Sequence, residues 1–193
     1  MTQSSYKLTD ILQPLSEHSM KHALEFSQPS LGKPININNI QDMSRHILRT
    51  LFDAETKSFS GHNNRDCFYN AKTNTLVIIN PTKDANGKLY GGTVFRPQDK
   101  ELYFQKLHVD EGDRLNREPK IHQKNGIVAL KPEMAKQFAQ DYLQKQGQNL
   151  TTFKKAEITP QRLEANHQRT EKSLSTLKPS PDLTKQQSHK RAR

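Results

Sequence analysis

A small set of side chains in this sequence suits phosphoryl transfer on RNA without a metal. Cleaving an RNA phosphodiester through its own 2′-hydroxyl needs a base for that hydroxyl and an acid for the leaving oxygen. It also needs cations or hydrogen-bond donors around the phosphate. Imidazole titrates near neutrality and can serve as base or acid. His22 has Lys21 beside it, and His62 precedes a strand-like stretch. Thr93, Phe95 and Arg96 share one short segment. Positions 93 and 95 fall on one face of a strand, and Arg96 sits at its end. Lys21 and Arg96 would stabilise developing charge, and the Thr93 hydroxyl would fix the phosphate. The same residue types also occur together as ordinary surface groups, so on types alone a solvated helix face is the alternative.

Other chemistries find less support. Neither a Gly-x-x-x-x-Gly-Lys-Ser/Thr loop nor a Gly-x-Gly-x-x-Gly loop is present, which argues against the common nucleotide-binding folds. His18 and His22 have the i, i+4 spacing that can bind a metal on a helix. No carboxylate lies between them where a zinc-protease base would stand, so no metal and no cofactor is expected. A lone Cys67 forms no intramolecular disulfide, and its place beside Phe68 reads as a buried structural thiol.

The elements that must position these groups fill only part of the chain. Of 193 residues, 32% are hydrophobic, against a globular norm of about 45–50%. That shortfall predicts a compact body with an unstructured remainder. The longest apolar runs, such as Leu76–Ile79, are strand-sized, which excludes a membrane-spanning helix and membrane insertion. The first 25 residues lack a signal-peptide layout, so general secretion is not expected. The net charge is +10, from 30 Lys+Arg against 20 Asp+Glu. Ten Lys/Arg and four Asp/Glu fall in 148–193, giving +6 there and leaving +4 for residues 1–147. The C-terminal stretch therefore reads as a disordered basic tail, suited to solubility, to polyanion binding or to recognition as an export signal.

Within 1–147 the spacing predicts helix over residues 9–27, interrupted at Pro14. A stronger helix follows Asn39, with Ile40, Met43, Ile47, Leu48, Leu51 and Phe52 on one face. The period then changes to two, predicting strands at Asp66–Asn70, Thr75–Asn80, Tyr90–Arg96 and Glu101–Leu107. Residues 109–131 are weakly patterned, and Glu133–Gln146 reads as a further helix after Pro132. The expected fold is α+β: N-terminal helices packed on an antiparallel sheet of about four strands, a C-terminal helix and the tail. The domain is placed at 1–147 with its core at about 16–107, and the tail at 148–193.

The segment Met20-Lys21-His22-Ala23-Leu24-Glu25-Phe26 resembles the Lys-His-Ala-x-x-Phe helix that opens the colicin D-like tRNA nuclease domains. These are toxic modules of some bacteriocins and contact-dependent growth inhibition proteins, within a broad group of small α+β ribonucleases with barnase, EndoU and RelE-like folds. Gly61-His62-Asn63, the stretch Tyr69–Ile79 and Gly91-Gly92-Thr93-Val94-Phe95-Arg96-Pro97 are similar to the hairpin and strand of related toxins. The resemblance spans roughly residues 16–107. It implies a metal-independent endoribonuclease that cuts tRNA, often in the anticodon loop, leaving 2′,3′-cyclic phosphate and 5′-hydroxyl ends. It makes His22 the acid/base, Lys21 the phosphate-stabilising cation, Thr93 the phosphate hydroxyl and Phe95 the substrate-binding aromatic, with Arg96 and His62 as further substrate contacts. Three positions depart from the pattern. Phe95 stands where a Trp is usual, Ser19 supplies no second cation, and Ser27 replaces a Gly. The implied partners are tRNA or another structured RNA, an acidic immunity protein, and secretion machinery engaging the tail. The implied setting is the producer cytoplasm, with export to act in the cytoplasm of a target cell. The alternative is a non-catalytic nucleic-acid-binding protein or a secretion-system effector that keeps only the fold.

Overall fold

The computed structural model describes residues 6–154. Along the chain come α1 (Leu8–Ser19), a 3₁₀ segment (Met20–Ser27) and α2 (Ile40–Phe52). Four strands follow: β1 (Lys57–Ser60), β2 (Asp66–Asn70), β3 (Thr75–Lys83) and β4 (Leu89–Phe95). The chain then forms α3 (Glu101–Leu115), α4 (Gly126–Leu130) and α5 (Pro132–Lys154). The strands pair antiparallel in the order β1-β2-β3-β4, so the architecture is the expected α+β meander with helices before and after it.

Strand membership differs from the expectation at two places. Glu101–Leu107 is the first half of α3 and not a strand. Its buried positions are Phe104, His108 and Glu111, at helical spacing, but two of the three are polar and hide the stripe from a hydropathy reading. Both polar groups are satisfied. His108 Nε2 lies 2.7 Å from the Pro119 carbonyl, and Glu111 accepts from the His62 backbone N–H at 2.6 Å and from Arg114 at 3.0 Å. The fourth strand is instead β1, whose one large apolar residue is Phe59. Ser58 is fully buried there because its backbone exchanges two hydrogen bonds with His122, at 2.9 and 2.8 Å, and its hydroxyl donates to the Gly126 carbonyl.

Pro14 does not interrupt α1, which continues through it. Proline there forgoes the N–H that would bond back to Asp10. This part of the helix lies against β4 so closely that a Cβ on Gly91 would sit 2.5 Å from the Leu15 nitrogen. Gly91 has φ +84° and Gly92 φ +116°, and a Cβ on Gly92 would strike the Ile78 carbonyl. Gly91 is thus a condition for bringing α1 alongside β4, and Gly92 for the pairing of β4 with β3.

Each face of the sheet carries a core. Phe68, Val77, Ile79 and Val94 pack against Ile11 and Leu15 of α1 and Met43, Ile47 and Leu51 of α2. Phe59, Cys67, Tyr69 and Leu76 pack on the other face against Phe104 of α3, with Ile78, Phe95 and Leu107 at the rim. Fully burying such a side chain contributes about 1.5–3 kcal/mol. Burial, followed by the negative charges of Glu111 and Asp66, pushes the Cys67 thiol well up, which suits a packing role and not a nucleophile. Asn39 caps α2 through the Asp42 N–H, as its position suggests. The described residues up to Leu143 pack as one compact unit. Helix α5 begins at the expected proline and runs past residue 147 to Lys154. The remainder of the expected basic tail, from 155 on, lies outside the described residues.

Candidate active site

The outer edge of β4 fixes the geometry. An edge strand presents backbone N–H groups that need partners, and here two side chains from the preceding helical segments supply them. The Val94 N–H donates to Ser19 Oγ at 2.8 Å, and the Arg96 N–H donates to Glu25 Oε2 at 3.1 Å. These bonds lay the end of α1 and the 3₁₀ segment along the strand. Glu25 Oε1 accepts in turn from His22 Nδ1 at 2.6 Å. A carboxylate only accepts, so Nδ1 carries a proton, and in the neutral ring Nε2 is the nitrogen with the lone pair. The His22 ring is 5.6 Å from the Phe95 ring, tilted 38° to it. With side chains 25% and 30% exposed, His22 and Glu25 are within reach of a ligand. A histidine held by a carboxylate in one tautomer and orientation, with the other nitrogen open, is equipped for acid/base work.

Lys21 turns elsewhere. Successive residues of a 3₁₀ helix point about 120° apart, and Lys21 Nζ lies 3.0 Å from His18 Nε2. The Tyr90 hydroxyl approaches the same nitrogen at 3.2 Å, and the two rings lie 4.9 Å apart. Desolvation, followed by the charges of Lys21 and His22, pushes His18 down, favouring the neutral ring that can accept from Lys21. His18 and His22 therefore serve different neighbours despite their i, i+4 spacing. Among the described residues, no group of three His, Cys, Asp or Glu side chains converges.

Thr93 follows the sheet parity. It shares a face with Phe95 and pairs with Ile78 across to β3. Its hydroxyl is buried and has no hydrogen-bond partner among the described residues, a deficit worth about 1–3 kcal/mol. The strand thus runs from Tyr90, beside His18 and Lys21, through Thr93 to Phe95, beside His22. Five residues of strand span about 16 Å.

Two expected contacts stand apart from this cluster. Arg96 is 2% exposed, so it is not a surface cation for substrate. Its guanidinium donates to the carbonyls of Phe26 at 3.0 Å and Lys33 at 2.7 Å and covers the Phe26 ring, so it ties down the 3₁₀ segment from beneath. The reason lies in the strand end itself, where the side chain turns inward under the helical segment. His62 lies in the turn between β1 and β2, bonded through its backbone to Glu111. Three inter-strand spacings separate β1 from β4, about 14 Å. Sequence reasoning missed Glu25 and Ser19. For Glu25 the available signal was its i, i+3 spacing from His22; for Ser19 there was none, since its partner is a backbone N–H distant in sequence. Beyond Glu25 and Phe95 a cleft of about 540 Å³ opens between the 3₁₀ segment and the start of α3.

No family model matches the chain, and no similar curated protein was found. Among solved structures, a ribonuclease from Escherichia coli complexed with its inhibitor protein matches at 18% identity and a TM-score of 0.30, covering 47% of this chain and 95% of that one. A likeness at that TM-score says nothing of activity.

Proposed function

We propose that the chain is a metal-independent endoribonuclease of the toxin type, acting on tRNA. The observation that carries this reading is the His22–Glu25 pair, 2.6 Å apart and set against Phe95 on the strand that also bears Thr93. His22 Nε2 takes the proton of a 2′-hydroxyl. The freed oxygen attacks the adjacent phosphorus, and the bond to the 5′-oxygen breaks. That oxygen leaves with the proton that the His22 imidazolium returns, giving a 2′,3′-cyclic phosphate and a 5′-hydroxyl. Lys21, on a flexible stem, supports the phosphate charge, and the unpartnered Thr93 hydroxyl, on the same strand face as Phe95, is the neutral donor of the set. The catalytic body is taken as residues 1–147, with 148–193 adding phosphate contacts or an export address. A producer of such an enzyme needs an acidic inhibitor that covers the His22 neighbourhood, and the site of action would be the cytoplasm of a target cell.

The test is incubation of the full chain with total tRNA in EDTA. Discrete fragments ending in cyclic phosphate are expected, and His22→Ala should slow their formation about 10²–10⁴-fold with little loss of RNA binding. Intact tRNA at high protein excess would overturn the reading. Cleavage that requires a divalent cation would replace its mechanism.

A further inference from the structure

We infer that His18 and Tyr90 are positioning residues that hold Lys21, without neutralising it, for the phosphate that His22 attacks; this rests on the ribonuclease reading. An ammonium paired with a carboxylate has spent much of its attraction before an anion arrives. Lys21 is held in another way. Its Nζ lies 3.0 Å from His18 Nε2, and among the described residues it has no carboxylate partner. The acids of this neighbourhood are engaged elsewhere. Glu17 accepts from Gln13 at 2.9 Å, and Glu25 serves His22 and the Arg96 N–H. Asp84, in the groove that His18 and Tyr90 line with Glu17 and Lys88, accepts from the N–H groups of Asn86 and Lys88, both at 2.9 Å. A neutral imidazole gives Lys21 an acceptor and leaves its charge intact.

The surroundings of His18 fit it to this task. Lys21 stands three positions further along, a spacing that helical winding brings to the same side. The Tyr90 ring packs on His18 at 4.9 Å and fixes its orientation, and the Tyr90 hydroxyl approaches the same Nε2 at 3.2 Å. That nitrogen has one lone pair in the neutral ring, so Lys21 and Tyr90 compete for it. When a phosphate draws Lys21 away, Tyr90 donates in its place and His18 keeps a partner. The exchange makes release of the lysine inexpensive, as a group that changes partners on substrate binding requires. Desolvation, then the charges of Lys21 and His22, keeps His18 in the neutral form that can accept.

The experiment uses the full chain in two measurements at neutral pH. Neither His18 nor Tyr90 belongs to a core, so their variants should fold, and thermal melts check it. In single-turnover cleavage of tRNA at saturating protein, His18→Ala and Tyr90→Ala should each slow the step about tenfold. RNA affinity should change much less, because Lys21 keeps its charge. His18→Gln places an amide oxygen where Nε2 stood and should recover most of the loss; His18→Asn, one methylene shorter, should not. In NMR titrations, which need no cleavage, His18 should show the Nδ1–H tautomer, and Lys21→Met should raise its pKa. Ala and Gln variants that match each other, at any level of activity, would overturn the positioning role, as would a His18 titration indifferent to Lys21→Met. Coupling of His18 to Lys21 without cleavage of any RNA removes the ribonuclease reading and keeps the pair as holder of Lys21 for an anion, whereas cleavage that ignores both residues does the reverse.

Discussion

Glu25→Gln is the substitution that separates catalysis from folding at this site. The amide keeps one acceptor oxygen, and the Arg96 N–H, an edge-strand donor bonded to Glu25 at 3.1 Å, claims it. The NH₂ group then faces His22 Nδ1, 2.6 Å away in the parent. A donor there forces Nδ1 to accept, so the ring proton moves to Nε2 and the lone pair needed by a 2′-hydroxyl is gone. Loss of a general base is worth about 10²–10⁴ in rate, or about 3–5 kcal/mol of barrier. Both hydrogen-bonded contacts survive, so stability should change by less than about 1 kcal/mol. Glu25→Ala, by contrast, strands the Arg96 N–H and should lose about 1–3 kcal/mol. The assay is single-turnover cleavage of end-labelled tRNA at saturating protein, run beside thermal melting of each variant. A Gln variant that cuts within a few-fold of the parent would refute the orienting role of Glu25. So would an Ala variant whose activity falls only as far as its folded fraction.

Other residues give independent expectations. Gly91→Ala and Gly92→Ala should each destabilise by more than about 2 kcal/mol, since both combine positive φ with a backbone obstacle; denaturant melts would show it. Arg96→Lys cannot reach both the Phe26 and Lys33 carbonyls and should lower stability by about 2–3 kcal/mol while leaving the salt dependence of RNA binding unchanged. A reduced salt slope would instead return Arg96 to the substrate surface. His46, bonded to the Thr75 hydroxyl and facing Phe26, is held down at about 4 by burial, then by the charges of Arg96 and Arg49. It stays neutral when folded, whereas an unfolded histidine protonates near 6.5. Its contribution is therefore complete above about pH 6.5 and is lost as pH falls toward 4, by up to about 3 kcal/mol. His46→Gln should flatten that part of a stability–pH curve measured in urea, and an unchanged slope would exclude His46 as its source.

What the sequence made legible follows the length scale of the interactions. Helix α2 buries residues at the spacing of its own backbone, and β2, β3 and β4 are short stretches bounded by turn residues, so local pattern found them even though β2 is buried on both faces. Helix α3 escaped because His108 and Glu111 occupy its inner face, satisfied by groups that only the folded chain brings near. Strand β1 escaped because Ser58 is buried by backbone pairing with His122 and not by hydrophobicity. At the site, the parity of Thr93 and Phe95 was readable, and so was the neighbouring Lys21-His22 pair. The divergence of that pair depends on a 3₁₀ winding that spacing does not distinguish from α. The inward turn of Arg96 and the double duty of Glu25 rest on contacts across 70 and 71 positions, beyond any local pattern.

The way β4 is closed constrains how another protein can approach. A bare edge strand invites partners to extend the sheet by backbone pairing. Here Ser19 and Glu25 occupy the N–H groups of Val94 and Arg96, where an incoming strand would register. A protein that covers this site must therefore dock on side chains such as Tyr90, Lys21 and Tyr103, with specificity carried by surface chemistry and not by sheet continuation. The same closure guards against self-association. Glu25→Ala should leave an edge open to strand addition between copies, so that a catalytic lesion and a gain in aggregation would arrive together.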